Sequence, residues 1–114
     1  MDAEKAPTPE DLDRFFLERA SAGDVEGVVA LYEAGAVLAF APGQVAAGTD
    51  AIRRVYAELL ASPPAFTGVI RPAITSGDIA ITSTTRAGNA AVEVARRQAD
   101  GSWLWVIDQP SVME

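Results

Sequence analysis

The stretch that decides the fold is residues 79–109, IAITSTTRAGNAAVEVARRQADGSWLWVIDQ. It is rich in Val, Ile, Thr and Trp and is interrupted by short Gly-containing turns, a pattern typical of consecutive β-strands. Because such turns are too short for a crossover, neighbouring strands are expected to be antiparallel. A further β-rich segment precedes this stretch. The four predicted strands are 66–75, 79–86, 91–98 and 103–109.

The first half of the chain has a helical pattern instead. Apolar residues recur there at intervals of three and four, which predicts three amphipathic helices and one short strand. The predicted segments are the helix from Thr8 to Gly23, the helix from Asp24 to Gly35, the strand 37–40, and the helix that starts at Thr49 or Asp50 and stops at 62–64.

The resulting order, ααβαββββ, places every helix before the long strands. A four-stranded meander has one face that needs cover, and the three amphipathic helices are the available cover. We therefore predict an α+β domain in which three N-terminal helices pack in the concavity of a strongly curved antiparallel sheet and leave a cavity at its open end. Residues 8–114 form the single predicted domain, after a flexible segment 1–7.

Composition excludes several classes of function. The 114 residues carry a net charge of −7, so the surface repels nucleic-acid phosphates and anionic lipids. The chain has no His and no Cys, which excludes a Ser-His-Asp triad, imidazole metal ligands and thiolate chemistry. The carboxylates do not follow the spacing of a Ca²⁺ loop, and no phosphate-binding loop is present. Neither a metal nor a cofactor is therefore predicted.

The sequence also gives an expectation about location. The N-terminal segment lacks the basic start and the apolar stretch of a signal peptide, and no apolar run is long enough to span a bilayer. We therefore expect a cytoplasmic protein with no membrane partner and no nucleic-acid partner.

Five short strings of residues occur in a characteristic order across residues 8–112. Each string alone is weak evidence for a fold, and the order of all five makes the evidence specific. The strings are Gly23-Asp24-Val25, Leu31-Tyr32 leading into Ala36-Val37-Leu38, Gly48-Thr49-Asp50-Ala51-Ile52-Arg53, Ser76-Gly77-Asp78-Ile79-Ala80, and Asp100-Gly101-Ser102-Trp103 through Asp108-Gln109-Pro110-Ser111. With these strings the chain resembles the nuclear transport factor 2-like superfamily, in particular its bacterial SnoaL-like branch and neighbouring branches of undefined function.

The resemblance implies a cone-shaped, cystatin-like roll with an apolar pocket, and a homodimer formed through the sheet face. It does not select a reaction, because the superfamily includes isomerases, cyclases, dehydratases, epoxide hydrolases and non-catalytic assembly domains. The chain also departs from its relatives. Gly35 stands near a position where relatives often carry an acid, and Phe15 and Phe16 occupy the part of the first helix where steroid isomerases have a tyrosine.

Asp108 is the first candidate for chemistry. It follows the apolar residues 105–107, and a buried carboxyl group has the raised pKa that suits a general acid or base. The resemblance implies the same position, since epoxide-hydrolase and cyclase relatives have a catalytic Asp on the last strand. The alternative is a structural role at the strand end or in a dimer interface. Simple alternation places Asp108 on the sheet face opposite Trp103 and Trp105, but it does not decide between the two roles, because both faces of the sheet can be buried in a dimer.

Three further side chains are candidates for the same site. Arg86 can pair with Asp108 or bind an anionic group, although an exposed arginine at a strand end is the simpler interpretation. Tyr32 and Tyr56, on the apolar faces of their predicted helices, can donate hydrogen bonds to a developing oxyanion. Core packing is the alternative for both tyrosines. Asp13, with the other acids of the first helix, is assigned to capping and to the helix dipole.

Aromatic residues are the candidates for binding an apolar ligand, with core packing as the alternative. They are Phe15, Phe16, Phe40, Trp103 and Trp105. We therefore predict a domain that binds a small apolar molecule. If it is an enzyme, Asp108 catalyses a cofactor-independent isomerisation, cyclisation, dehydration or epoxide hydrolysis. The alternative is a non-catalytic dimeric module that senses a ligand or binds another protein.

Overall fold

The structure of the chain, a computed structural model, describes residues 4–41, 43–62 and 65–112. Three helices pack against one face of a curved six-stranded sheet. The elements are α1 (Pro9–Ser21), α2 (Val25–Val29), β1 (Tyr32–Ala41), β2 (Gln44–Ala47), α3 (Thr49–Leu59), β3 (Val69–Ser76), β4 (Ile79–Arg86), β5 (Asn89–Arg97) and β6 (Trp103–Gln109). The predicted α+β class and order are confirmed, and the short strand β2 is added after β1.

The first helix, α1, has 13 residues. Pro9 lies in its first turn as predicted, and Glu10 and Asp11 lie at the positive end of the helix dipole. The side chain of Thr8 does not cap the helix, because its hydroxyl instead donates to the Asp11 carboxylate at 2.8 Å.

No helix in the described ranges combines the length and the apolar character needed to cross a bilayer.

The strands follow the order β2-β1-β6-β5-β4-β3. All neighbouring pairs are antiparallel except β1 and β6, which are parallel. The parallel pair arises because the last strand inserts between the β1–β2 hairpin and the meander of β3, β4 and β5. α1 packs against β3, β4 and β6, and α3 packs against β1 and β2. The helices therefore cover the inner face of the sheet on both sides of β6.

The second helix is much shorter than predicted. The Asp24 carboxylate accepts a hydrogen bond from the Gly27 amide at 2.9 Å and caps α2, but the helix has only five residues. The chain then extends, because the Leu31 carbonyl accepts a hydrogen bond from the Trp105 amide at 2.8 Å. Tyr32 therefore begins strand β1. Its predicted place on a helix was wrong, and the pairing with β6 is the reason.

β6 contains a bulge that reorients its last residues. Trp105 and Ile107 pair with two consecutive residues of β5, which leaves Val106 without a partner on that strand. An extra residue of this kind shifts the alternation of side chains by one position. Asp108 and Trp105 are consequently both buried, whereas Ile107 is exposed. Strand alternation left the face of Asp108 undecided, and the bulge is the reason why Asp108 and Trp105 share the inner face.

The core lies between the helices and the inner face of the sheet. Leu12, Ile52 and Trp105 are among its fully buried side chains. The segment before α1 also contributes to it, since Ala6 forms a bridge to Trp103 of β6 and is only 1% exposed. Residues 1–3 of the segment predicted to be flexible lie outside the described residues.

The two-residue turn between β4 and β5 carries backbone strain. Ala87 has φ 47° and Gly88 has φ 84°, the left-handed conformations that a type I′ turn requires. Glycine adopts this conformation freely, whereas an alanine Cβ makes it unfavourable. The strain at this turn is therefore located at Ala87.

We expect Ala87→Asn to raise the free energy of unfolding by about 0.5–1 kcal/mol, because Asn tolerates the left-handed region better than Ala. Chemical denaturation measures the change. Ala99→Asn is the control, since Ala99 is exposed in a turn and has no positive φ, and it should have little effect. If Ala87→Asn is no more stable than the wild type, the conformation of Ala87 is not strained.

Candidate functional site

A cavity of about 370 Å³ lies between α1, α3 and the inner face of the sheet. Its volume falls within the range of sites for small organic ligands. Three carboxyl groups, those of Asp13, Glu93 and Asp108, lie in its wall, and each of these residues is at most 5% exposed. Most of the remaining wall is apolar. Its apolar residues include Phe16, Leu38, Val55, Phe66 and Trp105.

Asp108 reaches the cavity from β6 because the bulge turns its side chain inward. Its Oδ2 accepts a short hydrogen bond from the Tyr32 hydroxyl. Burial raises the pKa of Asp108 to about 7. The hydrogen bond from Tyr32 lowers this pKa, and the negative charge of Asp13 raises it. A carboxyl group with a pKa near neutrality is present in both protonation states at pH 7 and can therefore accept or donate a proton.

Two tyrosines extend this contact into a chain of hydrogen bonds. The hydroxyl oxygens of Tyr32 and Tyr56 are 2.8 Å apart, and Tyr56 lies in the cavity wall. Burial, and next the charge of Asp108, raise the pKa of both phenols well above the usual value. Both hydroxyls therefore keep their proton at neutral pH. The structure thus brings together three of the predicted catalytic residues, Asp108, Tyr32 and Tyr56.

Glu93, which the sequence analysis missed, lies directly opposite Asp108 on β5. Its Oε1 accepts a hydrogen bond of 2.6 Å from the Thr82 hydroxyl, which itself accepts one of 3.0 Å from Trp105 Nε1. Burial, followed by the charges of Asp108 and Asp13, raises the pKa of Glu93 to about 10. Glu93 is therefore a neutral carboxylic acid at pH 7.

Asp13 joins the group from α1. It does not serve the helix end as expected, because its side chain is 3% exposed and lies in the cavity wall. Its Oδ2 is buried and meets no N–H or hydroxyl donor of the described residues. Burial raises the pKa of Asp13 to about 6, whereas hydrogen bonds with Glu93 and Thr84 lower it.

Arg86 lies apart from this group. It is an exposed residue at the end of β4 and contributes to the edge of the cavity. It forms no ion pair with Asp108, nor with another acidic side chain in the described ranges. The acidic groups are also not arranged as a metal site, since no set of three or more potential ligands in the described part of the chain could hold a metal ion.

The five predicted ligand-binding aromatic residues divide into two groups. Phe16, Phe40 and Trp105 line the cavity, and Phe16 makes an edge contact with the Tyr56 ring. Phe15 instead lies in the core outside the cavity wall, with the guanidinium groups of Arg14 and Arg19 over its ring. Trp103 is also buried away from the cavity, next to the segment that precedes α1.

The signals for the two missed acids were present in the sequence. Asp13 precedes Phe16 by one helical turn and therefore lies on the face of α1 that meets the sheet. Glu93 alternates with Ala91 and Ala95 in a strand whose inward positions are otherwise apolar. A charged residue at an inward position is rarely fully buried without a partner, so both positions marked a polar site inside the core.

The raised pKa of Asp108 predicts how stability depends on pH. The folded chain keeps this proton up to about pH 7, whereas the unfolded chain releases it near the ordinary pKa of 3.8. Between these values the folded state binds more protons, so the free energy of unfolding falls as the pH rises, by up to about 1.4 kcal/mol per pH unit for one group. Denaturation experiments from about pH 4 to about pH 7 should therefore show a smaller slope for Asp108→Asn. Equal slopes for the variant and the wild type would exclude a raised pKa.

Solved structures of several other proteins share this fold. A ketosteroid isomerase-like protein from Erwinia carotovora atroseptica is 22% identical, with a TM-score of 0.77 over 92% of this chain and 94% of that chain. A candidate dehydratase of the NTF2-like family from Streptomyces avermitilis is 19% identical, with a TM-score of 0.69 over 85% and 88% of the two chains. A candidate calcium/calmodulin-dependent protein kinase type II association domain from Thiobacillus denitrificans is 20% identical, with a TM-score of 0.73 over 93% and 95%.

At these identities the structural likeness shows the fold alone. Among curated proteins, none is significantly similar to the chain in sequence. The sequence pattern of the SnoaL-like domain, however, matches residues 12–111. Because this match covers nearly the whole chain, and because the surrounding fold is NTF2-like, the chain belongs to the SnoaL-like domain family.

Proposed function

We propose that this domain binds a small apolar molecule with a carbonyl oxygen and catalyses a proton transfer on it, with Asp108 as the acid–base group. The observation that carries the proposal is a buried carboxyl group in the wall of an apolar cavity, with no ion-pair partner in the described residues. Burial of an unpaired carboxyl group lowers stability. A fold that keeps such a group at a cavity is typical of a functional site.

The surroundings of Asp108 suit proton transfer to and from carbon. A pKa of about 7 allows the carboxylate to take a proton and the acid to return it at the same pH. Phe16, Leu38 and Trp105 bring apolar surface to the same cavity, which limits water near the reacting atoms and strengthens each electrostatic contact with the ligand.

The tyrosine pair links the charge of Asp108 to the hydrogen bonds offered to a ligand. While Asp108 is ionised, Tyr32 donates to its Oδ2 and Tyr56 donates to Tyr32, so Tyr56 presents only its lone pairs to the cavity. When Oδ2 carries a proton, both bonds can reverse and the Tyr56 hydroxyl can donate to a ligand oxygen. Tyr56 then stabilises negative charge on that oxygen.

These groups favour isomerisation among the four predicted reactions. Moving a proton between two carbons of one substrate needs a single acid–base group and a hydrogen-bond donor, and it needs neither a cofactor nor an activated water. A neutral, apolar substrate also fits an interior whose polar groups are mainly carboxyls. The isomerase-like name of one structural relative agrees with this choice, although a likeness at that identity concerns the fold.

The test is the exchange of the α-protons of cyclohexanone in D₂O, followed by NMR. We expect the wild type to accelerate exchange over buffer and Asp108→Asn to slow the enzymatic rate by about 10²-fold or more, because an amide cannot relay the proton. The amide oxygen of the Asp108→Asn side chain can still accept the Tyr32 hydrogen bond, so the variant should fold. Glu58→Gln, at an exposed position of α3, is the control and should exchange at the wild-type rate.

Two outcomes would contradict the proposal. If Asp108→Asn exchanges the α-protons as fast as the wild type, Asp108 is not the acid–base group. If the wild type does not exceed the rate of buffer, the non-catalytic alternative, a ligand-sensing or protein-binding module, becomes the better account of the cavity.

We also propose that the chain forms a homodimer through the outer face of its sheet. Ala80 and Thr82 are buried on the inner face, so the intervening Ile81 points outward. Its partners in neighbouring strands form an outer apolar row across five strands, in which Ile74, Ile81 and Ile107 are 71%, 44% and 52% exposed. The row consists of Ile74, Ile81, Val94, Ile107 and Val37.

We expect the double variant Ile81→Lys/Ile107→Lys to be monomeric in analytical ultracentrifugation under conditions in which the wild type is a dimer, because burying two lysines against apolar side chains is strongly unfavourable. The control is Ala57→Lys/Ala61→Lys, which adds the same charge at exposed positions on the helical side and should remain a dimer. A monomeric wild type, or a double sheet variant that still dimerises, would rule out this interface.

A further inference from the structure

Arg86 lies on the inner face of the sheet, at the end of β4. The register between β4 and β5 is continuous along both strands, so the side chains of β4 alternate between the two faces without a shift. Ala80 and Thr82 are buried on the inner face, and Thr84 and Arg86 follow in the same alternation. Both of these later residues lie in the cavity wall, and Arg86 is exposed. Arg86 therefore marks a place where the cavity wall meets solvent.

Two apolar side chains of the cavity wall are also exposed. Phe40 on β1 and Leu59 on α3 belong to this wall and are 45% and 48% exposed. Because β6 and β5 separate β1 from β4 in the sheet, Phe40 and Arg86 line different sides of the cavity. Exposed apolar surface at a cavity is typical of a binding site. The mouth, which we define by Phe40, Leu59 and Arg86, therefore offers apolar contact together with one positive charge.

Arg86 forms neither an ion pair nor a hydrogen bond within the described residues. Five other cationic side chains form ion pairs, and Arg19 and Arg54 donate to backbone carbonyls. The direct partner of Arg86 on β5 is Asn89, a neutral residue. Among the described residues of the cavity wall, Arg86 is the single cation. Its guanidinium group is therefore available to an anion from solution.

The carboxyl groups lie deeper in the same cavity. Glu93 is the direct partner of Thr82 on one side and of Asp108 on the other. Arg86 follows Thr82 by four positions, so its backbone lies about 13 Å farther along the strand at about 3.3 Å per residue. Asp13 and Asp108, when ionised, repel an anion from the deep end, whereas Arg86 attracts it at the mouth. A ligand with one anionic end is therefore oriented with its neutral end inside.

We propose that Arg86 binds a carboxylate of the ligand at the mouth, so that the substrate class is a monoanionic oxo acid whose neutral, carbonyl-bearing end reaches Asp108. This inference rests on the proposed function and deepens it, since the interior still receives only the neutral, apolar part of the substrate. One guanidinium group balances one negative charge, and its parallel N–H donors match the two oxygens of a carboxylate. A phosphate ester would bring nearly two negative charges to the same cavity.

The separation of the two polar ends limits the length of this ligand. The side chains of Arg86 and Asp108 both line the cavity, so the ligand spans less than the separation of their backbones. A chain of several methylene groups meets this condition. At the mouth such a chain would contact Phe40 and Leu59 and remove part of their apolar surface from water. 7-Oxooctanoate, which has six carbon–carbon bonds between its carbonyl and carboxylate carbons, has this form and is the probe.

An NMR titration with two matched ligands tests the carboxylate site. 7-Oxooctanoate and 2-octanone share a methyl ketone and the same methylene chain, and they differ only in a terminal carboxylate or methyl group. The measured quantity is the ratio of their two association constants at about pH 8. We expect Arg86→Gln to lower this ratio by about 5- to 10-fold, because the variant loses a charge-assisted hydrogen bond at a partly solvated position.

Arg71→Gln is the control. Arg71 is also exposed, and it lies opposite Ser83 on the outer face of the sheet, so the variant loses the same charge away from the cavity. It should keep the wild-type ratio. A general change in structure would weaken both ligands of Arg86→Gln together and would leave the ratio unchanged, and that result would overturn the inference. An equal fall of the ratio in Arg71→Gln would also overturn it, since the effect would then come from net charge.

Exchange of the α-protons of 2-octanone in D₂O separates this inference from the proposed function. If the wild type accelerates this exchange, Asp108→Asn slows it, and the binding ratio of Arg86→Gln equals that of the wild type, the carboxylate site is absent and the proposed function stands. If the wild type binds neither ketone and exchanges no faster than buffer, both fail.

Discussion

On β6, Trp105 and Ile107 pair with consecutive residues of β5, and the unpaired Val106 between them turns every later side chain to the other face of the sheet. Strict alternation would bury Ile107 and place Asp108 on the outer face. The bulge instead brings the carboxyl group of Asp108 into the cavity and places Ile107 in the outer apolar row. The chemistry of the inner face and the apolar character of the outer face therefore depend on the same extra residue.

The cavity wall holds three carboxyl groups, and none of them forms an ion pair with a cationic side chain of the described residues. Its acids depend on neutral donors, namely the Tyr32 phenol, the Thr82 hydroxyl and, through Thr82, the Trp105 indole. Such donors hold the carboxyl groups in place but leave their pKa values high, whereas a buried arginine would fix them as carboxylates. At pH values above the ordinary pKa of these acids, the folded state is therefore less stable than it would be with ion-paired carboxylates. The cavity in turn has groups that change protonation state near neutrality.

Local sequence signals predicted most of the fold, and long-range pairing accounts for what they missed. The turns, the strand composition and the start of α1 depend on neighbouring residues, so they could be recognised directly. The early end of α2 and the bulge at Val106 both depend on contacts of β6 with distant segments. Asp108 and its two tyrosines were identified by residue type. Asp13 and Glu93 were not, because a charged residue on an amphipathic element is ordinarily on the surface.

The indole of Trp105 has an optical consequence. Its N–H is hydrogen-bonded to the hydroxyl that contacts Glu93, and its ring lies 5.3 Å from that of Tyr32 and 5.9 Å from that of Phe16. Trp103, the second tryptophan of the chain, lies outside this cavity wall. The fluorescence of Trp105 should therefore change when a molecule enters the cavity and when the carboxyl groups of the cavity wall change their charge. Both events can then be followed without an external label.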